Sequence, residues 1–173
     1  VRDDGISFDA GIKSARARSE ALERVARALA ADGLVTAWRD ERYAVAPEFG
    51  AQAWFELERA AARFFGVRTY AVHVNGLVRR DHDVLMWIAR RSPDKAIDPG
   101  MLDNLVGGGI AAGQSVASTA VKEAWEEAGI AASVAAGAQP AGTVRICREQ
   151  RDGLQRETIF VHDLWLPADF VPA

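Results

Sequence analysis

The sequence predicts an α/β fold: a mixed sheet with an acidic helix against it, preceded by a small, mainly helical N-terminal domain. Three observations predict it. The residue pattern changes near Val67 from helical to strand-like, which divides the chain into 1–66 and 67–173. The stretch Asp103 to Ile130 reads as a strand end, a Gly-rich turn and a helix. Two alternating runs, Gly142 to Glu149 and Glu157 to Leu166, are joined around Arg151-Asp152-Gly153, a good hairpin signal.

In the first segment, Ser19-Glu20 followed by Leu22, Val25, Ala26 and Leu29 reads as an amphipathic helix, and Asp32-Gly33 stops it. Short extended pieces with Trp38 and Tyr43 are expected between Leu34 and Val45, before Pro47 interrupts. A second helix is expected from about Gln52 to Phe65, with Glu56 and Glu58 as its surface charges. The aromatic residues here are assigned to packing, and no catalytic cluster is apparent.

From Val67, the run Arg68 to Gly76 alternates as one strand, and Asp83 to Ala89 is a short apolar run suited to a buried one. Arg79-Arg80-Asp81 falls between them as a turn. His73 stands alone in its apolar strand and is read as a structural, hydrogen-bonded histidine ahead of a general base; His82 and His162 show no metal-ligand spacing. Arg90 to Lys95 forms a charged loop that would contact a diphosphate only if it folded over the site.

Ser115 to Ala128 is the central helix, closed by Gly129. Val116, Ala117, Ala120, Val121, Ala124 and Ala128 form its packing face. At 3.6 residues per turn, Glu123, Glu126 and Glu127 fall within an arc of about 100° beside that face. Like charges at this spacing destabilise a helix by roughly 0.2–0.5 kcal/mol per pair, and Lys122 offsets only part of the repulsion. A hard divalent cation suits such oxygen donors and shares its shell with substrate phosphates. The plainer reading is a solvated helix end.

The spacing of Gly108, Glu123, Glu126, Glu127 and Gly129-Ile130 resembles the signature of the Nudix hydrolase family: Gly, five residues, Glu, seven residues, then Arg-Glu-aliphatic-x-Glu-Glu-x-Gly-aliphatic. Gln114 stands where that pattern has its first Glu, Lys122 where it has Arg, and Ala124 where it has a larger aliphatic residue. The resemblance implies an α/β/α sandwich. It also implies that Glu123, Glu126 and Glu127 are the metal-binding and catalytic carboxylates. Losing a charge at Gln114 is expected to weaken a second ion or shift the metal, and Lys122 lacks the planar bidentate fork of Arg. Gly107, Gly108 and Gly109 are candidate substrate contacts because a backbone without Cβ can turn sharply and approach a metal-phosphate site. Lys122 is a fourth candidate contact.

The runs GVRTYAVHVNG, MWIARRSPDK and PGMLDNLVGGGIAAG further resemble Nudix proteins that carry an extra N-terminal domain and are related to thiamine pyrophosphokinase. This implies Mg²⁺-dependent hydrolysis, with Mn²⁺ as the other candidate, of a small organic diphosphate such as thiamine diphosphate or its oxidised, damaged forms. Trp87 or Trp165 is a candidate for stacking on the organic part, or for the core. A catalytically weak or inactive Nudix-like binding module is the alternative. An isopentenyl-diphosphate-isomerase-like enzyme ranks below both, because Cys147 lies outside the context that reaction needs.

The 173 residues, 49% hydrophobic, are enough for a genuine core. A net charge of −3 without a basic run argues against nucleic acid as a partner, and no apolar run is long enough to span a bilayer. One cysteine and no signal-peptide pattern set the expectation of a reduced, cytoplasmic setting. The oligomeric state is open. The chain begins with Val1, so a fragment or processed form is expected, and Nudix domains continue with further strand and helix, so the C-terminal part of the fold is expected to be truncated.

Overall fold

The computed structural model describes residues 7–94 and 99–173. Helix α1 (Ala15–Ala31) starts four residues earlier than Ser19: Ser14 is the N-cap, and its side chain accepts from Ala17 N at 3.1 Å. Ser19 lies inside the helix, where its hydroxyl donates to Ala15 O at 2.8 Å and accepts from Glu56 N at 2.8 Å. Leu22 and Ala26 are buried, whereas Val25 faces solvent.

The second expected helix is absent. Its residues form strand β2 (Phe55–Glu58) and a single 3₁₀ turn, Arg59–Ala61. Strand β2 pairs antiparallel with β1 (Arg42–Val45), matching Arg42 to Glu58 and Val45 to Phe55. The alternation of Phe55 and Leu57 fits a strand, and the exposed Trp54 and Phe64 show that no helical apolar face forms. Leu22, Ala26, Val35, Val45, Leu57 and Ala61 bury together as a core of their own. Glu58 is not a surface charge: it is 1% exposed, and its carboxylate accepts from Arg39 N at 3.1 Å and Ala60 N at 3.0 Å.

Strand β3 (Arg68–Arg80) is the spine of the second part. It pairs in parallel with β9 (Gly153–Trp165) and antiparallel with β4 (Asp83–Trp87), and β8 (Gln139–Gln150) pairs antiparallel with β9. The sheet is therefore mixed, in the order β4-β3-β9-β8. Arg79 and Arg80 belong to β3, and the turn lies at 81–82. Strand β4 is exposed rather than buried, because it is the outer strand and Val84, Leu85 and Met86 face solvent. Two short strands, β5 (Ala89–Arg90) and β6 (Leu102–Asp103), pair with each other. Lys95 of the expected charged loop lies outside the described residues.

The Gly-rich stretch is not a turn. Val106–Gly109 is strand β7, hydrogen-bonded along β3 from Ala71 to Val74. Helix α2 (Val116–Ala128) follows, and a short helix α3 (Ala132–Ala135) leads to β8. Ser115 and Ser118 form a reciprocal capping box, and Gly129 closes α2 at φ 65°, a left-handed conformation that suits glycine. Ala120, Ala124 and Ala128 pack with Tyr70, Val72, Val74 and Val106. Thr119 joins this buried face, and Ala117 turns to solvent. Among the described residues no helix is long and apolar enough to cross a membrane.

Candidate active site

Strand pleating gives the sheet two different faces. Tyr70, Val72 and Val74 point to the core beneath α2. Ala71 and His73 alternate with them and point to the opposite face, in register with Gly109 and Gly107 on one side and Ile159 and Val161 on the other. That opposite face floors a cleft of about 290 Å³. Gln155, Glu157 and Ile159 of β9 and Ile146 and Arg148 of β8 continue the floor, while Tyr43, Arg59 and Arg63 enter from the first segment. Arg91, Met101, Leu102 and Asp103 form another side, so the charged loop reaches the cleft through Arg91.

Glycine at 107–109 is favoured by space rather than by turning. A Cβ on Gly107 would lie 3.2 Å from His73 Nε2, one on Gly108 would collide with the Glu123 side chain, and one on Gly109 would collide with the Tyr43 hydroxyl. The acidic helix and the cleft are thus separated by a stretch of β7, Gly107 to Gly109, that has no side chains. Glu123 packs on Gly108, and Glu127 Oε2 accepts from Gly107 N at 2.9 Å. Glu126 is more open and shares the Lys122 ammonium with Glu123, at 3.0 Å to each.

Lys122 belongs with the acidic group and does not line the cleft. Its hydrogen bonds to Glu123 and Glu126 raise its pKa. Among the described residues no three His, Cys, Asp or Glu side chains converge as a metal cage. The donors nonetheless suit a divalent ion. Three carboxylates lie on one helix, and an ammonium already stands between two of them as a stand-in cation. Gln114 turns away from this group: its Oε1 accepts from Ser118 Oγ at 3.0 Å, beside the helix cap.

His73 is hydrogen-bonded, with Nδ1 2.7 Å from Asn104 Oδ1, and it also lines the cleft. Trp87 packs on the core and Trp165 lies under Arg79 with 5.1 Å between guanidinium and ring centre; neither reaches the cleft. Sequence reasoning passed over Tyr43, Arg59, Arg63, Arg148 and Glu157. Burial raises the pKa of Tyr43 strongly, an effect that Arg59 opposes and Glu41, Glu157 and Glu123 reinforce. At Arg59 burial acts downward, but Tyr43 and Glu41 outweigh it and the pKa rises.

A family model described as NUDIX domain matches residues 68–169. The chain belongs to the Nudix family. A second model, described as a domain of unknown function (DUF4743), matches residues 1–69, ahead of the Nudix domain. The chain is 44% identical over 155 residues to Nudix hydrolase 20, chloroplastic, of Arabidopsis thaliana, covering 90% of this chain and 41% of that protein. It is likewise 44% identical over 155 residues to Nudix hydrolase 24, chloroplastic, of the same plant, covering 90% and 42%. The chain thus spans about two fifths of the length of these curated relatives. The crystal structure of DR0079 from Deinococcus radiodurans superposes with a TM-score of 0.58 at 22% identity, covering 76% of this chain and 75% of that one. The mixed sheet with helices is the Nudix α/β/α architecture expected from the sequence. Nudix hydrolases generally use divalent metals and act on small diphosphate substrates. The cytoplasmic location expected from the sequence is overturned, because both Arabidopsis relatives are chloroplastic.

Proposed function

We propose that this chain carries the site of a divalent-metal-dependent Nudix hydrolase that cleaves a diphosphate bond in a small organic diphosphate. Residues 1–66 are the accessory part and 67–173 the Nudix domain. The observation that carries this reading is the placement of Glu123 on Gly108 and of Glu127 on Gly107 N, one bare strand away from a cleft rich in arginine. Glu123, Glu126 and Glu127 would hold the ion, with Mg²⁺ first and Mn²⁺ second as candidates. When bound, the ion supplies positive charge to phosphoryl oxygens and makes water a stronger acid. The arginines bind and orient the anionic end of the substrate, and the bare backbone of Gly107 to Gly109 lets it come close. One of the three glutamates takes a proton from the attacking water.

Thiamine diphosphate and its oxidised forms are the substrates to try first, on the strength of the resemblance at GVRTYAVHVNG and PGMLDNLVGGG. Hydrolysis products with Mg²⁺ test the reading, with Glu127→Gln as the control: orthophosphate from the thiamine compounds and isopentenyl diphosphate, and two phosphomonoesters from ADP-ribose. The amide keeps an oxygen for Gly107 N but removes the charge, so turnover should fall by about a hundredfold or more while the fold persists. Full activity in that variant overturns the assignment. A second reading, a binding module without turnover, is favoured by two observations: Lys122 bridges Glu123 and Glu126, and Gln114 is turned to Ser118. It predicts ligand-dependent stabilisation with no phosphate released.

A further inference from the structure

The cleft is not completed by the Nudix domain alone. Tyr43 is 6% exposed, and its hydroxyl fills the space that a side chain at position 109 would need. The Arg59 guanidinium lies 5.6 Å from the centre of the Tyr43 ring, and its NH1 donates to Glu41 Oε2 at 2.6 Å. The segment is fastened at both ends of the cleft. At one end Ala112 N donates to Arg42 O at 2.8 Å, just beyond the glycine strand. At the other, Leu154 N donates to Arg63 O at 2.9 Å, and Arg63 NH1 lies 3.4 Å from Asp152 Oδ2 at the β8–β9 turn.

Arg59, Arg63, Arg91 and Arg148 line one cleft, with Arg59 paired to Glu41, Arg63 to Asp152 and Arg91 to Asp103. A guanidinium carries five N–H donors, so the bond to Glu41 does not exhaust Arg59. Ring and carboxylate hold it in place before any ligand arrives, which lowers the entropy lost on binding.

Resting on the reading above, we propose that Arg59 and Tyr43, from the segment ahead of the Nudix domain, are specificity-determining residues that select a diphosphate over a single phosphate. Arg59 binds phosphoryl oxygens from above the sheet, facing the arginines of the Nudix domain across the cleft. Tyr43 sets how deeply the substrate enters over Gly109. A diphosphate presents two phosphoryl groups, one for each side of the cleft, where a monophosphate presents one.

The test uses the whole chain and two probes, inorganic diphosphate and orthophosphate, titrated by calorimetry, beside KM and kcat for thiamine diphosphate with Mg²⁺. Wild type should bind diphosphate more tightly than orthophosphate. Arg59→Met should weaken diphosphate by about tenfold or more, with orthophosphate changed much less, and Arg59→Lys should recover part of the loss. In turnover, KM should rise by a similar factor with kcat within about twofold. Unchanged diphosphate affinity in Arg59→Met, or equal losses for the two anions, overturns the proposal. If Arg59→Met does not fold, Arg59→Lys must still raise KM, and no shift there overturns it. Turnover that is sensitive to Glu127→Gln but indifferent to Arg59 sinks this inference alone. Arg59-dependent diphosphate binding without turnover sinks only the hydrolase reading.

Discussion

Gly108 and Glu123 claim the same volume: a Cβ on Gly108 would overlap the Glu123 side chain and lie 2.9 Å from its Oε1. The contact is with the outer part of a flexible side chain, so Gly108→Ala should move the glutamate rather than break the sheet. We expect a stability loss of no more than about 1–3 kcal/mol in urea unfolding. Diphosphate hydrolysis should fall by about tenfold or more, since a shift of roughly 1 Å at a reacting group is costly. Normal activity in this variant would show that the position of Glu123 is not critical.

Lys122 offers a direct probe of the acidic group. Lys122→Met removes the ammonium that bridges Glu123 and Glu126. Repulsion between the glutamates should then cost roughly 0.2–0.5 kcal/mol. Added Mg²⁺ should raise the melting temperature of the variant more than that of wild type. An identical Mg²⁺ response in both proteins would argue that Lys122 and the ion do not share a place.

Glu58 anchors the base of the first segment. Replacing it with Ala leaves Arg39 N and Ala60 N without their acceptor. We expect about 2–4 kcal/mol of destabilisation, measured by denaturant unfolding. Glu56→Ala, at an exposed neighbour, should fall within about 0.5 kcal/mol of wild type.

Tyr43 should govern part of the alkaline limb of stability. Its pKa is raised in the folded protein, above the unfolded value of about 10. The neutral phenol therefore contributes stability that is complete below about pH 10 and lost as pH rises from there toward the folded value. The slope from this group approaches about 1.4 kcal/mol per pH unit. Tyr43→Phe should flatten that limb, and an unchanged alkaline profile would mean that the phenol does not titrate in this range.

How much of this was legible depended on whether the information was local. Helix α2 was readable because Ser115, the apolar face and Gly129 lie within one short window, and the three glutamates stand at fixed offsets inside it. The hairpin at Arg151-Asp152 was equally local. Residues 52–65 misled because the apolar residues Trp54, Phe55, Ala61, Phe64 and Phe65 ahead of Gly66 read as one helical pattern, while pairing of Phe55–Glu58 with Arg42–Val45 decided the outcome. Glu58 was read as a surface charge because no pattern reveals that backbone N–H groups at 39 and 60 converge on it. The glycines were read as a turn because the side chains that crowd a Cβ there, namely Tyr43, His73 and Glu123, are distant in sequence. Arg59, Arg63 and Arg148 were passed over for the same reason: only the folded chain sets them around one cleft.

The parallel pairing of β3 with β9 has a consequence for how the protein is made. Thr69 pairs with Glu157 and Asn75 with Asp163, each pair separated by 88 positions. Closing so wide a loop is entropically costly and tends to slow folding. During synthesis β3 leaves the ribosome long before its parallel neighbour and must wait with one edge bare, a template for unwanted pairing with other chains. The cleft floor comes from both strands, so it exists only once β9 has been translated. A nascent chain stalled before Gly153 would carry the acidic helix and the glycine strand but no cleft.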